Sequence, residues 1–443
     1  PSDKEFLQQI SDSIRQILLA DTVRQASVLD SMRTAWAASQ MVPQEFVPVS
    51  SIIHTLKINN LRHTYYSYST PENYYTNLFY GDLTSVKDRT KALCVKNTLG
   101  ISLREGFNKW AQMGITAFIS HEVRNYRLPM LDQDGLLGRK HYTEHDIAVG
   151  GQVTRTQGKY FNYDVTGQFS IVGDNVGDFS VDGTLSSEFP VSRRDTMAVE
   201  IRGMVDGKEP DFYLRHYHSQ FLWWDHFNWD KEYHGRIEGS LHLPRIGTHL
   251  YVGFENIKNL THLAMENTLL DASNVNPQPG DFSHDVVVRQ AGSNIQVFSA
   301  RLVQELKFGP LHWDNDITYQ TSSNGDVLPL PKLNIYSNLY LQFRLAKVLN
   351  VEIGGDLRYF TKYYAPDYSP AIQQFAIQDT NYPCTKIGNY PLVSVYANLH
   401  IKHCRIYVLM HHVNQGTGHM FWGPHYPMDP RTFHFGVSWN FFN

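Results

Sequence analysis

The chain has 443 residues, of which 42% are hydrophobic and 19% are charged, and its formal net charge is -4. This length exceeds that of one small domain, and the balanced charge disfavours nucleic acid as a partner, because nucleic-acid binders carry a basic surface. Aromatic residues reach 13% although the mean hydropathy is only -0.37, which favours strands, since Tyr and Phe are strand formers. The 3 cysteines form neither a disulfide framework nor a CxxC metal site.

The first 45 residues carry a helical pattern. Apolar residues recur there at helical spacing, from Phe6 to Met32, while Ser2 and Asp3 offer helix caps and Pro43 follows the pattern. We therefore predict an amphipathic helical segment over residues 1–45 as a separate domain. The pattern leaves open whether this segment is an arm packed on the rest of the chain or a plug or docking helix.

From about residue 46 to the end, the apolar residues alternate with polar ones, which is typical of strands with one apolar face. In one such segment Ile335, Leu339 and Leu341 point one way, while Tyr336 and Asn338 point the other. We predict about 16 strands of this type, each near ten residues or longer, as membrane strands need. A membrane barrel escapes the hydropathy test for helices, because its alternating residues average out as polar.

The connections between these strands alternate in length. Short links, such as residues 244–247 and 346–348, alternate with longer ones. The longer ones fall near residues 69–90, 127–141, 207–232, 260–293, 321–331, 361–389 and 414–430, and on that side only the link near residues 173–177 is brief. Short periplasmic turns and long surface loops are typical of outer-membrane barrels, whereas a soluble sandwich or propeller has no reason to make every second loop long. The sequence therefore predicts an all-β, transmembrane antiparallel barrel over residues 46–443.

The last segment, "HHVNQGTGHMFWGPHYPMDPRTFHFGVSWNFFN", resembles the C-terminal end of the putative porin family of Bacteroidota outer membranes. "EFVPVSSIIHTLKINNLRHTYYSY" and "EGFNKWAQMGITAFISHEVRNY" also resemble that family, so the resemblance covers roughly residues 45–443. It implies a Gram-negative outer-membrane channel, and a terminal strand that the assembly machinery recognises. The alternating residues of that strand are Phe433, Phe435, Val437, Trp439 and Phe441. Members of the family often begin further upstream, which implies that additional strands can precede this chain.

The polar face of each strand would line the lumen and set what passes through it. Acids outnumber bases ten to six among its charged candidates, which favours a weakly cation-preferring or unselective pore, although paired charges that merely hydrate the lumen fit equally well. The candidates are Lys96, Asp164, Asp178, Asp182, Glu188, Glu200, Arg202, Arg236, Glu238, Asp314, Asp316, Arg344, Glu352, Asp356, Arg358 and Lys402.

We therefore expect passive diffusion of small hydrophilic solutes, with no enzyme activity and no cofactor. The expected partners are outer-membrane lipid and those solutes. The alternative is a non-conducting or plugged scaffold for surface lipoproteins or secretion partners. The sequence leaves open whether the chain forms a homo-oligomer.

Two residue clusters suggest other chemistry. "FYLRHYHSQFLWWDHFNWDKEYH" gathers His216, His218, His226 and His234 with Asp225 and Asp230, and a His-x-His spacing on a strand can place two imidazoles on one face. The spacing nevertheless matches no structural zinc pattern. An aromatic loop that stacks on sugars or narrows the lumen, or an ordinary surface loop, explains it as well. His411, His412 and Asn414 with Ser438 could suggest a hydrolase, yet nothing in their spacing selects a nucleophile.

Overall fold

The computed structural model describes Thr34 and residues 49–105, 113–158, 160–192, 195–418 and 421–441. The chain divides into two compact units, Pro1–Val49 and Ser50–Asn443. The helical segment predicted over residues 1–45 lies outside the described residues apart from Thr34. The second unit carries the sheet and every side chain discussed below.

The second unit is built on one antiparallel sheet of 16 strands, in which each strand pairs with the next one along the sheet. This confirms the predicted number of strands. The members of the sheet, in order, are β1 (Ser50–Ser67), β2 (Val86–Leu103), β3 (Gly114–Leu131), β4 (Leu137–Arg155), β5 (Asn162–Gly173), β6 (Phe179–Ser192), β7 (Asp195–Lys208), β10 (Glu232–Leu243), β11 (Thr248–Lys258), β14 (Ile295–Phe308), β15 (Leu311–Ser322), β16 (Leu333–Leu345), β17 (Leu349–Phe360), β20 (Leu392–Ile401), β21 (Cys404–His411) and β24 (Thr432–Trp439).

Four small hairpins and a one-turn helix lie in the long connections. The hairpin strands are β8 (His216–His218) with β9 (Trp223–Asp225), β12 (Thr261–Leu269) with β13 (Phe282–Gln290), β18 (Asp367–Ser369) with β19 (Gln374–Ala376), and β22 (Phe421–Gly423) with β23 (Tyr426–Pro427). The helix is Phe212–Arg215, and the 3₁₀ turns are Pro244–Ile246 and Pro279–Asp281. Among the described helices, none is long and apolar enough to cross a membrane.

The two faces of the sheet differ in polarity because the side chains alternate along each strand. On β16, Leu339, Leu341 and Phe343 share one face and are 50%, 45% and 41% exposed. On the other face Asn338 lies opposite Asp314 of β15 and Asp356 of β17. The sheet therefore has one exposed apolar face and one polar face.

The connections alternate in length as predicted, with one exception. The expected long loop over residues 127–141 is wrong, because β3 continues to Leu131 and β4 begins at Leu137. The Asp132 carboxylate accepts the backbone N–H groups of Asp134 and Leu136 at 3.0 and 2.8 Å, which closes a tight turn. An aspartate that holds the backbone two residues ahead is a typical turn former, so the two strands extend beyond their neighbours as one hairpin.

The sheet curls, as a contact between an edge strand and a distant connection shows. The His63 side chain on β1, at one edge of the sheet, lies 3.1 Å from the Gln373 side chain in the connection between β17 and β20. These elements are near opposite ends of the strand order. The polar face is therefore the concave one, and the long connections meet over it.

Candidate functional site: the polar face and the folded loops

The register of the strands places most of the predicted pore-lining residues on the polar face. Asp182 lies opposite Thr166 on β5, and Arg202 lies opposite Thr184 on β6 and Glu238 on β10. The same parity continues around the sheet. The predicted residues on this face are Lys96, Asp164, Asp182, Glu188, Glu200, Arg202, Arg236, Glu238, Asp314, Asp316, Arg344, Glu352, Asp356 and Arg358.

Two of the predicted residues lie outside the strands. Asp178 precedes β6 and accepts a hydrogen bond from the Lys231 ammonium at 2.6 Å. Lys402 lies in the turn between β20 and β21, where its backbone has a positive φ of 48°. Lys402 therefore stands at the rim of the sheet and not on its polar face.

A group of largely buried charges on the polar face forms a cluster that the sequence analysis did not single out. The Arg124 guanidinium on β3 pairs with Asp146 and, at 3.2 Å, with Glu144, both on β4. Arg215, from the connection between β7 and β10, binds the other oxygen of Glu144 at 2.7 Å. The side chains of Glu144 and Asp146 are only 9% and 11% exposed. These arginines are therefore the counter-charges of the two carboxylates.

Other ion pairs on the polar face are open to solvent. Arg202 lies 3.5 Å from Asp182, with side chains 61% and 45% exposed, and Arg301 lies 2.5 Å from Asp316. Pairs of this exposure contribute about 0–1 kcal/mol to stability. They set the electrostatic field over the polar face, whereas the Arg124 cluster also holds the structure together.

Long connections from different parts of the chain share one hydrophobic core. Phe221 and Leu222, between β7 and β10, are each 1% exposed. They pack with Met265 and Val286 of the β12–β13 hairpin and with Ile372 of the connection between β17 and β20. Burying large apolar side chains contributes about 1.5–3 kcal/mol each, so these loops form a folded layer over the polar face.

The histidine-rich segment folds into this layer. The Asp225 carboxylate lies 2.7 Å from His216 Nδ1 and 3.0 Å from His218 Nε2, within hydrogen-bond distance of both. The other ring nitrogen of His218, Nδ1, lies 2.8 Å from the Pro129 carbonyl of β3. Burial would raise the pKa of Asp225, but the hydrogen bonds from both imidazoles outweigh it and lower that pKa. Within the part of the chain that the structure describes, no three potential ligands converge on a metal site.

The polar residues suggested as a hydrolase set do not converge. His411 Nδ1 lies 3.0 Å from the Ser394 hydroxyl, and His412 binds the Tyr390 hydroxyl at 2.8 Å. Ser438 lies opposite Arg405, whereas His411 lies opposite Thr432, six residues away along β24. The predicted serine and histidine therefore lie far apart along the strand direction.

The strand predicted as the assembly signal forms an edge of the sheet. In β24, Phe433, Phe435, Val437 and Trp439 lie on the apolar face, and each is more than half exposed. Phe441 follows the strand and is exposed as well. Recognition of this strand by the assembly machinery stays a prediction.

A curled antiparallel sheet with an apolar convex face, a charged concave face and long loops at one end is the fold of outer-membrane β-barrels. Solved structures agree. The chain is similar to the siderophore receptor PirA from Acinetobacter baumannii, with a TM-score of 0.56, 9% identity and coverage of 88% of this chain and 60% of that chain. It is also similar to a mutant of the ferric enterobactin receptor PfeA from Pseudomonas aeruginosa, with a TM-score of 0.58, 13% identity and coverage of 89% and 60%.

The copper transporter OprC matches with a TM-score of 0.57 and 10% identity, over 88% of this chain and 64% of that chain. This chain thus spans less than two thirds of the length of these structures, and the likeness is one of fold. A comparison with curated proteins finds no match. The family model for a putative porin matches residues 23–443. The chain therefore belongs to the putative porin family, as its sequence predicted, and is an outer-membrane β-barrel related to transport.

The apolar face must then contact lipid, which a single substitution tests. Leu339 is the central residue of β16 and points to the apolar face. We expect Leu339→Arg to lower the free energy of unfolding in lipid vesicles by about 2–4 kcal/mol, because a cation at the bilayer midplane is costly. The matched control is Gln342→Arg, which places the same cation opposite Glu352 on the polar face. Equal losses from both variants in a denaturant titration would contradict the assignment of the faces.

Proposed function

We propose that the chain forms an outer-membrane channel that passes small hydrophilic solutes down their concentration gradients, without a cofactor or covalent chemistry. The single observation that carries this proposal is the continuous polar face, on which charged residues recur from Lys96 on β2 to Arg358 on β17. In this proposal β1 and β24 close the barrel directly or through further strands. A barrel of about 16–18 strands leaves an aqueous channel.

The folded loops narrow this channel at one end. Arg215 and His218 carry the connection between β7 and β10 across the polar face to β4 and β3. Acids and bases face each other where this segment meets the Arg124 cluster, and such opposed charges create a transverse field at a constriction. The channel would therefore admit small polar solutes and exclude large ones.

Conductance in planar bilayers tests the proposal. We expect the purified, folded chain to give discrete single-channel steps in potassium chloride. Complete electrical silence of a chain that is folded, as shown by circular dichroism, would overturn the diffusion channel.

Ion selectivity is the second measurable consequence. Acids outnumber bases among the predicted lining residues, and the Arg124 cluster adds the three acids Glu122, Glu144 and Asp146 against the two bases Arg124 and Arg215. We expect the reversal potential in a salt gradient to show a weak preference for cations. That preference should shrink in 1 M salt, where the Debye length is about 3 Å. A strong preference for anions would contradict the assignment of the lining.

A second function is favoured by the core of the folded loops. Phe221 and Leu222 lie fully buried in a layer that spans the polar face, which is what a plugged scaffold requires. Such a scaffold would hold surface lipoproteins or secretion partners and conduct nothing. A parent chain that is silent in bilayers but conducts once this layer is removed would favour the plugged scaffold.

A further inference from the structure

The loops also enclose an aromatic cleft at the end of the sheet that carries the long connections. Its volume is about 350 Å³, and four different connections contribute to its walls. We call it the aromatic cleft and define it by Tyr74, Phe282, Asp367, Tyr382, His425 and Tyr426. These residues come from the connections that follow β1, β11, β17 and β21. Small-molecule sites usually measure about 300–1,000 Å³, so this cleft fits a small ligand.

The walls of the aromatic cleft are fixed by ring contacts. Tyr382 packs edge-on against Phe282, with centroids 5.0 Å apart at 80°, and lies 5.8 Å from the His425 ring. Both Tyr382 and Phe282 are 7% exposed. Tyr426 packs edge-on against Tyr368 at 5.4 Å. Edge-to-face packing is a favourable arrangement of aromatic rings, so the rings are held in place before any ligand arrives.

One carboxylate lies among these rings without a strong counter-charge. The Asp367 side chain is 13% exposed, and its Oδ2 lies 3.6 Å from His425 Nε2, which is longer than a hydrogen bond. Its Oδ1 accepts only the backbone N–H of Tyr368, at 2.8 Å, among the described residues. Burial raises the pKa of Asp367, although His425 acts in the opposite direction. No lysine or arginine is present among the described residues that line the cleft.

We propose that the aromatic cleft binds small organic cations of the alkylammonium or quaternary ammonium class. Aromatic rings carry negative charge on their faces and attract cations, and the attraction grows when water is excluded. The Asp367 carboxylate supplies the counter-charge, and Glu72 adds a second acid at the exposed rim. A neutral sugar could stack on the same rings, but it would leave the Asp367 carboxylate with only the His425 imidazole, at 3.6 Å, as a neighbouring cationic group. The electrostatics therefore favour the cation.

In a diffusion channel, the aromatic cleft would concentrate cationic solutes at the mouth of the channel. This biological role of the cleft rests on the proposed function. The binding itself does not require conduction. It can be measured on the full chain in detergent, so that failure of the binding and failure of the channel are separate results.

The test compares choline with its uncharged isostere, 3,3-dimethylbutan-1-ol, by calorimetric titration of the full chain. We expect choline to bind at least about tenfold more tightly than the alcohol, which corresponds to about 1.4 kcal/mol. We expect Asp367→Asn to weaken choline binding by about tenfold or more. The matched control is Asp134→Asn, which removes an exposed carboxylate at the same end of the sheet. That control should bind choline like the parent chain.

A second variant keeps the proposal testable if Asp367→Asn does not fold. Tyr426→Ala removes a ring from the rim that is 37% exposed, and it should also weaken choline binding. Equal affinity for choline and the alcohol would overturn the proposal. So would unchanged choline binding in folded Asp367→Asn, or binding of glucose without any binding of choline.

Discussion

Replacing Arg124 by glutamine is expected to lower the free energy of unfolding by about 3–5 kcal/mol, the usual cost of removing one partner from a buried ion pair. Arg124 pairs with both Glu144 and Asp146, whose side chains are almost fully buried. Glutamine fills a similar space but brings no charge. Glu144 keeps Arg215 as a partner, whereas Asp146 loses its only ion-pair partner among the described residues. A denaturant titration of the refolded chain in lipid vesicles measures the loss.

The matched control is Arg202→Gln on the same polar face. Arg202 pairs with Asp182 at 3.5 Å, but both side chains are about half exposed or more, so water replaces the lost partner. We expect this variant to change the free energy of unfolding by about 0–1 kcal/mol. Similar losses in both variants would show that burial does not distinguish the Arg124 cluster from an open ion pair.

The sequence predicted the sheet well because the determining signal is local. Alternation of apolar and polar residues decides which side chains face lipid, and the bilayer requires that alternation in every strand. The number of strands and most loop boundaries follow from it directly. The prediction of a long loop over residues 127–141 was wrong because charged residues such as Arg127 and Lys140 interrupt the alternation of apolar and polar residues. In the structure both are paired in a hairpin, Arg127 opposite His141 and Lys140 opposite Leu128.

The candidate site was predicted only in part, because its contacts join residues that are far apart in the chain. Alternation is enough to place Asp182 and Arg202 on the polar face. It gives no information on which connection folds back over the sheet. Arg215 reaches Glu144 across 71 positions of sequence, and the two ends of that contact carry no shared motif. The spacing of Glu122 and Arg124 on one strand face was the available signal for this cluster.

The histidine-rich segment shows the same limit. Two-residue spacing correctly suggests that His216 and His218 share a face, and the structure brings both to Asp225. The partner that fixes His218 is a backbone carbonyl of Pro129, which no pattern of side chains can reveal. Local spacing thus predicted the pair, whereas tertiary folding decided that it supports a loop and not a metal ion.

Replacing residues 210–229 by a short glycine-serine linker is expected to raise the single-channel conductance severalfold. Lys208 at the end of β7 lies directly opposite Glu232 at the start of β10, so a hairpin loop of about two to five residues is enough to join them. The deleted segment supplies Phe221 and Leu222 to the loop core and carries Arg215 and His218 across the polar face. Its removal should therefore open the lumen while the sheet stays paired.

The matched control shortens a connection that stays outside the loop core. Residues 272–277 lie in the connection between β12 and β13, and Val275 among them is 98% exposed. Their replacement by the same linker should leave the conductance unchanged. Recordings in planar bilayers would contradict the assigned constriction if a folded chain without residues 210–229 conducted like its parent. The deletion removes Arg215 but keeps Arg124, so Glu144 stays paired with an arginine. A change in conductance would therefore report the loss of the loop layer and not a collapse of the polar face.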